Sequence, residues 1–380
     1  INIDLTRSRE YWIAKTRERL IKSVELRMRS DVPLSFCLSG GIDSGSLVSI
    51  ASKVLGADVH TFSIVDSDAR YNEEAQIDAI VNDTNCENLK IKLEKNDYFD
   101  DLYSLSSYRN GPIVTCSYFA HSLLVNEISK KGFKIGMSGV GADEIFTGYF
   151  DHFSFFLKHI REKESFNSAL NNWEKHVRPM IRNPLVTNLE NFYSGNYRDH
   201  IYLNSNEFNS YFYKKHSLAF AENQYTSSSE LRNRMLNELF HEVVRVILHQ
   251  DDMNSMFYSV ENRSPFLDRK LFEMSMQIPT EYLIKDGYNK AILRASMKNI
   301  LHDDVRLFRE KRGFNASITS FLDMNSKKFK DFMKRDSLIY ELIKKEDFLG
   351  LLAKNSYPNS YNKFIFRVIS SKMFLENNSF

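Results

Sequence analysis

Short apolar runs alternate with amphipathic stretches through the first 138 residues, and this alternation is the feature that most constrains the fold. The apolar runs, which are typical of buried strands, lie at residues 32–38, 58–65, 88–93 and 134–138. Helical periodicity predicts helices at residues 5–29, 44–55, 73–81 and 118–131. Because strands that alternate with helices pair in parallel, the sequence predicts an α/β fold with a parallel sheet covered on both faces.

The pattern changes after residue 150. Val and Ile clusters become sparse, aromatic-rich polar segments appear, and an amphipathic stretch runs through residues 231–247. We therefore expect two parts: residues 1–150 as the α/β part, and residues 151–380 as a mainly helical part packed against it.

Composition and charge exclude several classes of protein. Basic side chains number 51 and acidic ones 49, so the net charge of +2 favours neither nucleic acid nor a membrane surface. No apolar run approaches the roughly 20 residues of a membrane-spanning helix. The three cysteines are scattered and form no CxxC motif, which argues against a disulfide framework or a cysteine zinc site. They suit a reducing compartment, so a cytoplasmic location is predicted.

One loop has the pattern of a phosphate-binding site. Residues 38–44 read Leu-Ser-Gly-Gly-Ile-Asp-Ser and lie between a predicted strand and a predicted helix. Two glycines let backbone N–H groups approach an anion, and the start of the helix adds partial positive charge. Ser39 and Ser44 add hydroxyl donors, and Asp43 suits a Mg²⁺ ion on the phosphates. A tight turn with a capped helix is the alternative interpretation.

This loop resembles the PP-loop of ATP-pyrophosphatases, whose fold is adenine nucleotide alpha-hydrolase-like and which cleave ATP between the α- and β-phosphates. It lacks the lysine of a P-loop. The resemblance implies nucleotide contacts from Leu38, Ser39, Gly40, Gly41, Asp43, Ser44 and, on the second strand, Ile64. Similar loops occur in argininosuccinate synthetase, NAD synthetase and tRNA-modifying enzymes.

Four further motifs select one family among these. Residues 138–149 resemble an SGxGxDExFxGY segment, and residues 252–268 resemble a DRMSM…ExRxPFLD block. Residues 287–294 resemble GxxKxxLR, and residues 311–314 resemble KxGF. The motifs follow the family's order, so the chain is identified as a member of the asparagine synthetase family, in its C-terminal synthetase domain.

The resemblance assigns roles to individual residues. Ser138 and Gly139 are expected beside the nucleotide, and Asp143 is expected to share a Mg²⁺ ion with Asp43. Lys311 corresponds to the family's catalytic lysine.

Two acids are candidates for handling the amine. Glu261 is suited to orienting the amine or accepting its proton, and Asp252 is a second candidate. An ion pair of Glu261 with Arg263 or Arg245 is the structural alternative.

The activity that the resemblance implies is an ATP-dependent, AMP-forming ligase that makes C–N bonds. Such an enzyme uses ATP and Mg²⁺ to adenylate a small-molecule carboxylate and then transfers ammonia or an amine to it. Residues 1–150 would be the PP-loop nucleotide-binding part and residues 151–380 the substrate-side part. The N-terminal glutaminase domain of glutamine-dependent members is absent from these residues, so the nitrogen is expected from ammonia, an amine, or a glutaminase domain or subunit. A homo-oligomer is also compatible with the family.

Two positions depart from the family pattern. Val140 lies where asparagine synthetases commonly have an acid and β-lactam synthetases a tyrosine, and Asn72 replaces a usual acid. An unmet polar group costs roughly 1–3 kcal/mol, so Val140 favours an acceptor other than plain aspartate. The alternatives are an asparagine synthetase proper without its glutaminase domain, a tRNA-modifying enzyme, and a non-catalytic nucleotide-binding subunit.

Overall fold

The computed structural model describes residues 2–66, 68–69, 71–93, 97–217, 220–310, 316–354 and 357–377. Five parallel strands form one sheet in the order β3-β2-β1-β4-β5. Their bounds are β1 Leu34–Cys37, β2 His60–Asp66, β3 Glu87–Leu93, β4 Ile135–Met137 and β5 Glu261–Arg263. The predicted α/β class with a parallel sheet is confirmed.

The helices of the first part connect the strands. They are α1 Arg9–Arg27, α2 Ile42–Ser49, α3 Glu74–Thr84, α4 Phe99–Tyr108 and α5 Cys116–Lys130. A π-helical turn, Ile50–Val54, extends α2, so the helix predicted at 44–55 is realised in two segments. The helix α4 had no counterpart in the sequence prediction.

The remainder of the described chain is mainly helical, as predicted. Its α-helices are α6 Ala142–Phe146, α7 Phe150–His159, α8 Phe166–His176, α9 Pro184–Thr187, α10 Leu189–Tyr193, α11 Ser205–Ser210, α12 Glu230–Asn237, α13 Val244–Phe257, α14 Arg269–Ser275, α15 Ala291–Ser296, α16 Asp303–Arg306, α17 Lys327–Lys334, α18 Lys345–Leu352 and α19 Asn359–Asn377. A second π-helical turn, Glu238–Glu242, joins α12 to α13.

The strand β5 ties the second part to the sheet. It pairs with β4 in parallel register, with Ile135 opposite Glu261 and Met137 opposite Arg263. The sheet therefore includes a strand from beyond residue 150, and the helix α13 that precedes this strand packs on α5.

Buried apolar side chains form three clusters. The largest joins α1, α2 and α3 to helices of the second part, and a second is built from α4, α5, α17 and α19. A small third cluster packs Phe62 of β2 against α5.

In a parallel sheet all strands end at the same edge, so the loops after β1, β2 and β4 meet there. Among the described residues, no helix has the length and apolar character that crossing a bilayer requires.

Candidate active site

A cavity of about 670 Å³ lies where the strands end. Its walls come from the loops after β1 and β4, the end of β2, the first turns of α5, and parts of α13 and α15. The lining includes all ten residues predicted to contact the nucleotide or Mg²⁺: Leu38, Ser39, Gly40, Gly41, Ile64, Asp43, Ser44, Ser138, Gly139 and Asp143. Residues from two distant motifs are thus brought together in one cavity.

The loop after β1 is held by its own hydroxyl groups. Ser44 Oγ lies 2.9 Å from Ser39 Oγ and donates to the Ser39 carbonyl at 3.0 Å, while the Ser39 N–H donates to Ser44 Oγ. These bonds close the loop at the start of α2. Gly41 is the N-cap of α2, and no side chain caps that helix end. The free N–H groups of the first turn of a helix favour a negatively charged ligand.

A carboxylate already approaches this loop. The Gly40 N–H donates to Glu73 Oε2 at 3.2 Å. A β-carbon at position 40 would come within 2.7 Å of Gln76 Cβ, so only glycine permits this close approach. The contact shows that the loop presents an N–H group to an anionic oxygen.

The two glycine-containing loops touch each other at Gly139. A β-carbon there would lie 2.9 Å from Asp43 Cβ and 3.1 Å from the Ser44 nitrogen. Glycine at this position therefore allows the loop after β4 to pack on the loop after β1.

Lys290 joins the two carboxylates that were predicted to bind Mg²⁺. Its Nζ lies 2.6 Å from Asp43 Oδ2 and 2.5 Å from Asp143 Oδ1. Its side chain is 4% exposed, and those of Asp43 and Asp143 are 22% and 23% exposed. Burial alone lowers the pKa of Lys290, but the charges of Asp143 and Asp43 outweigh it and raise that pKa. The ammonium is therefore charged at neutral pH.

The backbone holds Lys290 in an unusual position. Its φ is 51°, in the left-handed region, so it lies just before α15 and not on the helix. Arg294, in the last turn of that helix, donates to the Asn289 carbonyl at 2.8 Å, and Asn289 donates to the Gly148 carbonyl at 3.1 Å. The GxxKxxLR segment thus contributes Lys290 to the site, while Arg294 positions the backbone beside it.

The carboxylate pair fits a Mg²⁺ ion. Asp43 and Asp143 both reach the same ammonium group, so their oxygens converge on one point beside the phosphate loop. Two convergent carboxylates with phosphate oxygens are the usual ligands of Mg²⁺ in nucleotide sites. The sequence motif that contains Lys290 predicts no role for this residue.

A buried acid lies next to this pair. Glu144 Oε1 accepts from the Tyr149 hydroxyl at 2.5 Å, and both side chains line the cavity. Burial and the charge of Asp143 raise the pKa of Glu144 to about 7. Both residues belong to the SGxGxDExFxGY segment, which was the signal that could have identified them.

A buried ionic cluster lies beyond Tyr149. His152 Nε2 lies 2.7 Å from Glu238 Oε2, and Arg234 pairs with Glu238 at 3.0 Å and with Asp151 at 3.4 Å. His152, Glu238 and Asp151 lie close enough to ligate one metal ion, but Arg234 already neutralises two of the three. The cluster borders a second cavity of about 320 Å³ that shares Tyr149 with the first.

Of the three predicted catalytic residues, the two that the structure describes, Glu261 and Asp252, are not among the cavity-lining residues. Glu261 is exposed at the start of β5 and forms an ion pair with Arg263 at 2.8 Å, which is the structural alternative considered for it. Asp252 is exposed on α13, whereas its neighbour Asp251 is buried and lines the cavity. Neither Glu261 nor Asp252 contacts the site. Lys311 lies outside the described residues, so its role stays a prediction.

Comparison with known proteins identifies related sequences. The family described as "Asparagine synthase" matches residues 15–362. The chain is 28% identical over 328 residues to "Asparagine synthetase [glutamine-hydrolyzing] 1" of Bacillus subtilis, an alignment covering 82% of the chain and 50% of that protein. It is 27% identical over 320 residues to "Asparagine synthetase [glutamine-hydrolyzing] 3" of the same organism, covering 79% of the chain and 47% of that protein.

Another similar protein is named an amidase and not an asparagine synthetase. The chain is 22% identical over 358 residues to "Amidase chry2" of Gibberella zeae, covering 80% of the chain and 51% of that protein. The chain thus spans about half the length of these relatives. The family match extends over most of the 380 residues. On this match, and with the two glycine-containing loops meeting at one cavity, the chain belongs to the asparagine synthase family.

Proposed function

We propose that the chain is the synthetase part of an ATP-dependent ligase that releases AMP and pyrophosphate and joins ammonia or an amine to a carboxylate. The observation that carries the proposal is the convergence of Asp43, Asp143 and Lys290 beside the loop formed by residues 38–44. Its relatives' names, two of them asparagine synthetases, support amide formation.

The chemistry requires an anion to approach a polyanion. Positive charge near the α-phosphate must offset the repulsion between the carboxylate and ATP. Asp43 and Asp143 would hold Mg²⁺, which supplies charge neutralisation on the phosphates when bound. The residues of the chain itself contribute the N–H groups of the loop, the hydroxyl groups of Ser39 and Ser44, and the buried ammonium of Lys290. The family resemblance implies that Lys311 would add a second cation, in contact with the α-phosphate region or the acyl intermediate.

The position of Glu144 suits it to a role in the step that transfers ammonia or an amine to the carboxylate. It lies in the same cavity as Asp143, and the Tyr149 hydroxyl fixes one of its oxygens. A carboxylate in the cavity can orient an ammonium group or accept its proton. Glu144 therefore replaces Glu261 and Asp252 as the preferred candidate for this task.

The thiol chemistry of tRNA thiolation has less support. Cys37 lines the cavity, but burial raises the pKa of its thiol to about 12, and burial raises that of Cys116 to about 12 as well. A thiolate, the reactive form, is therefore disfavoured at both positions. Asparagine synthetase proper and a non-catalytic nucleotide-binding subunit stay as the second and third candidates.

The test is product analysis with a panel of carboxylates. The chain is incubated with ATP, Mg²⁺, ammonium and each carboxylate in turn, and mass spectrometry detects the amide. Amide that appears together with AMP supports the proposal, and the absence of both with every carboxylate would favour the nucleotide-binding subunit.

A further inference from the structure

Asp66, the last residue of β2, has a buried carboxylate oxygen that lacks a hydrogen-bond partner among the described residues. The residue is 2% exposed and lines the large cavity. Its Oδ1 accepts from the Ser320 hydroxyl at 2.8 Å and from the Asp68 N–H at 2.9 Å. Its Oδ2 is the oxygen without a partner. A buried acceptor that is left unpaired costs free energy, so this position favours a ligand that donates a hydrogen bond.

Every other described carboxylate in the lining has a partner within the protein. These carboxylates belong to Asp43, Asp143, Glu144, Glu73, Asp251 and Glu310. Glu73, for example, accepts from the N–H of the phosphate loop at 3.2 Å, and Asp251 lies 3.4 Å from His121 Nδ1. The need for a donor from a ligand is therefore greatest at Asp66.

The end of β2 faces the cavity. The pairing of β1 with β2 ends at Cys37 and Phe62, and residues 63–66 pair with β3 on their other side. Alternate residues of a strand share a face, and Phe62, Ile64 and Asp66 all line the cavity. Ile64 is the residue of this strand that is expected to contact the nucleotide. Strand residues advance about 3.3 Å each, so Asp66 lies roughly 7 Å beyond Ile64, within the span of one nucleoside.

The charge of Asp66 selects which part of ATP would lie beside it. A carboxylate repels phosphate oxygens, and the phosphates are expected at the loop formed by residues 38–44. The nucleoside carries the hydrogen-bond donors of ATP, which are the two ribose hydroxyl groups and the adenine amino group. We infer that Asp66 Oδ2 accepts a hydrogen bond from the nucleoside of ATP and makes binding depend on that donor. The inference rests on the proposed function, because that function requires ATP in this cavity.

The test measures binding by calorimetry with Mg²⁺ and without any carboxylate substrate, so it does not depend on turnover. The wild-type chain is titrated with ATP and with three analogues that each lack one donor: 2′-deoxyATP, 3′-deoxyATP and purine riboside triphosphate. One analogue should bind about tenfold more weakly than ATP, because a hydrogen bond to a charged group is lost. The identity of that analogue shows whether the donor is a ribose hydroxyl or the amino group.

Asp66→Asn should remove this discrimination. The Ser320 hydroxyl and the Asp68 N–H hold an acceptor at the position of Oδ1, so the amide nitrogen, which cannot accept, takes the position of Oδ2. ATP should then bind about tenfold more weakly, and all four nucleotides should bind alike. Ser320→Ala, which removes one bond that orients the carboxylate, is a milder second variant and should reduce the discrimination. Asp58→Asn, at an exposed aspartate just before β2, is the matched control and should keep the wild-type pattern.

Two results would overturn the inference. They are equal binding of ATP and all three analogues by the wild type, and discrimination that persists unchanged in Asp66→Asn. AMP formation with ammonium and a carboxylate separates this inference from the proposed function. If AMP forms while either result is found, the reaction stands and the assignment of Asp66 fails. If the discrimination behaves as expected but no carboxylate supports AMP formation, the proposed reaction fails and Asp66 stands as a nucleotide-binding residue.

Discussion

Gly148 lies so close to Asp143 that a β-carbon at position 148 would come within 1.5 Å of Asp143 Oδ1. The Gly148 N–H also donates to the Asp143 carbonyl at 2.8 Å, so the backbone holds the two residues together. The glycine near the end of the SGxGxDExFxGY segment is thus explained by the space that the carboxylate needs.

Gly148→Ala should displace the Asp143 carboxylate and lower kcat by roughly 100-fold, the cost of a misplacement of about 1 Å in a catalytic group. Steady-state AMP formation measures the effect. Gly350→Ala is the matched control, because a β-carbon there meets no atom within 4 Å, and its rate should equal that of wild type. A Gly148→Ala enzyme of normal rate would show that the position of Asp143 is unimportant for turnover.

Lys290→Met should abolish AMP formation and also destabilise the ligand-free protein. The variant leaves two neighbouring carboxylates without their shared cation, which costs roughly 2–3 kcal/mol after allowance for their partial exposure. Urea unfolding measures the loss, and Lys285→Met, at an exposed lysine nearby, should change stability by less than about 0.5 kcal/mol. If Lys290→Met were as stable as wild type, the ion pairs with Asp43 and Asp143 would carry no net stabilisation.

The buried cluster around His152 should make stability depend on pH. Burial alone lowers the pKa of His152, but the charge of Glu238 and its hydrogen bond outweigh this and raise it above the unfolded value of about 6.5. A raised pKa means that the folded state binds the proton more tightly. The stabilisation is therefore fully present below about pH 6.5 and is lost as pH rises through the folded pKa.

Urea unfolding from pH 6 to pH 9 measures this dependence. The free energy of unfolding should fall over that range in the wild type, and His152→Gln should make the slope smaller. Part of the slope should remain near pH 7, because the pKa of Glu144 is also raised, to about 7. His249→Gln, at an exposed histidine of α13, should leave the slope unchanged. A wild-type slope that persists in His152→Gln would assign the dependence to another group.

Val140 should set the preference among acceptors. It lines the cavity where the family commonly has an acid, and an apolar side chain cannot pair with the polar groups of aspartate. With ammonium as nitrogen source, kcat/KM for aspartate should be below that for a larger or less polar carboxylate. Val140→Glu should shift the ratio toward aspartate by about tenfold, whereas Val140→Leu should not. Aspartate as the preferred wild-type substrate would mean that Val140 is a tolerated variation.

The strands that carry apolar runs could be predicted from the sequence, and β5 could not. The segment Glu261–Arg263 is polar and only three residues long, and its place in the sheet depends on backbone pairing with β4. Glu261 was predicted to orient the amine or accept its proton. The parallel register puts this residue at the start of β5, away from the carboxyl ends of the strands.

The places of Asp251 and Lys290 in the cavity could not be predicted from the sequence. Asp251 and Asp252 are neighbours in sequence, but successive helical residues point about 100° apart, so one is buried in the cavity and the other is exposed. Lys290 reaches Asp43 across 247 positions of the chain and adopts a left-handed backbone conformation that no periodicity signals.

The products formed from ATP labelled at the α-phosphate test the central claim most directly. The chain is incubated with Mg²⁺, ammonium and the best carboxylate, and the labelled products are separated by thin-layer chromatography. We expect label in AMP. Asp43→Asn and Asp143→Asn should each form AMP only at a small residual rate, and the double variant should be no slower than either single one because both would hold one ion. Label that accumulates in ADP would contradict the account, since it would place cleavage between the β- and γ-phosphates.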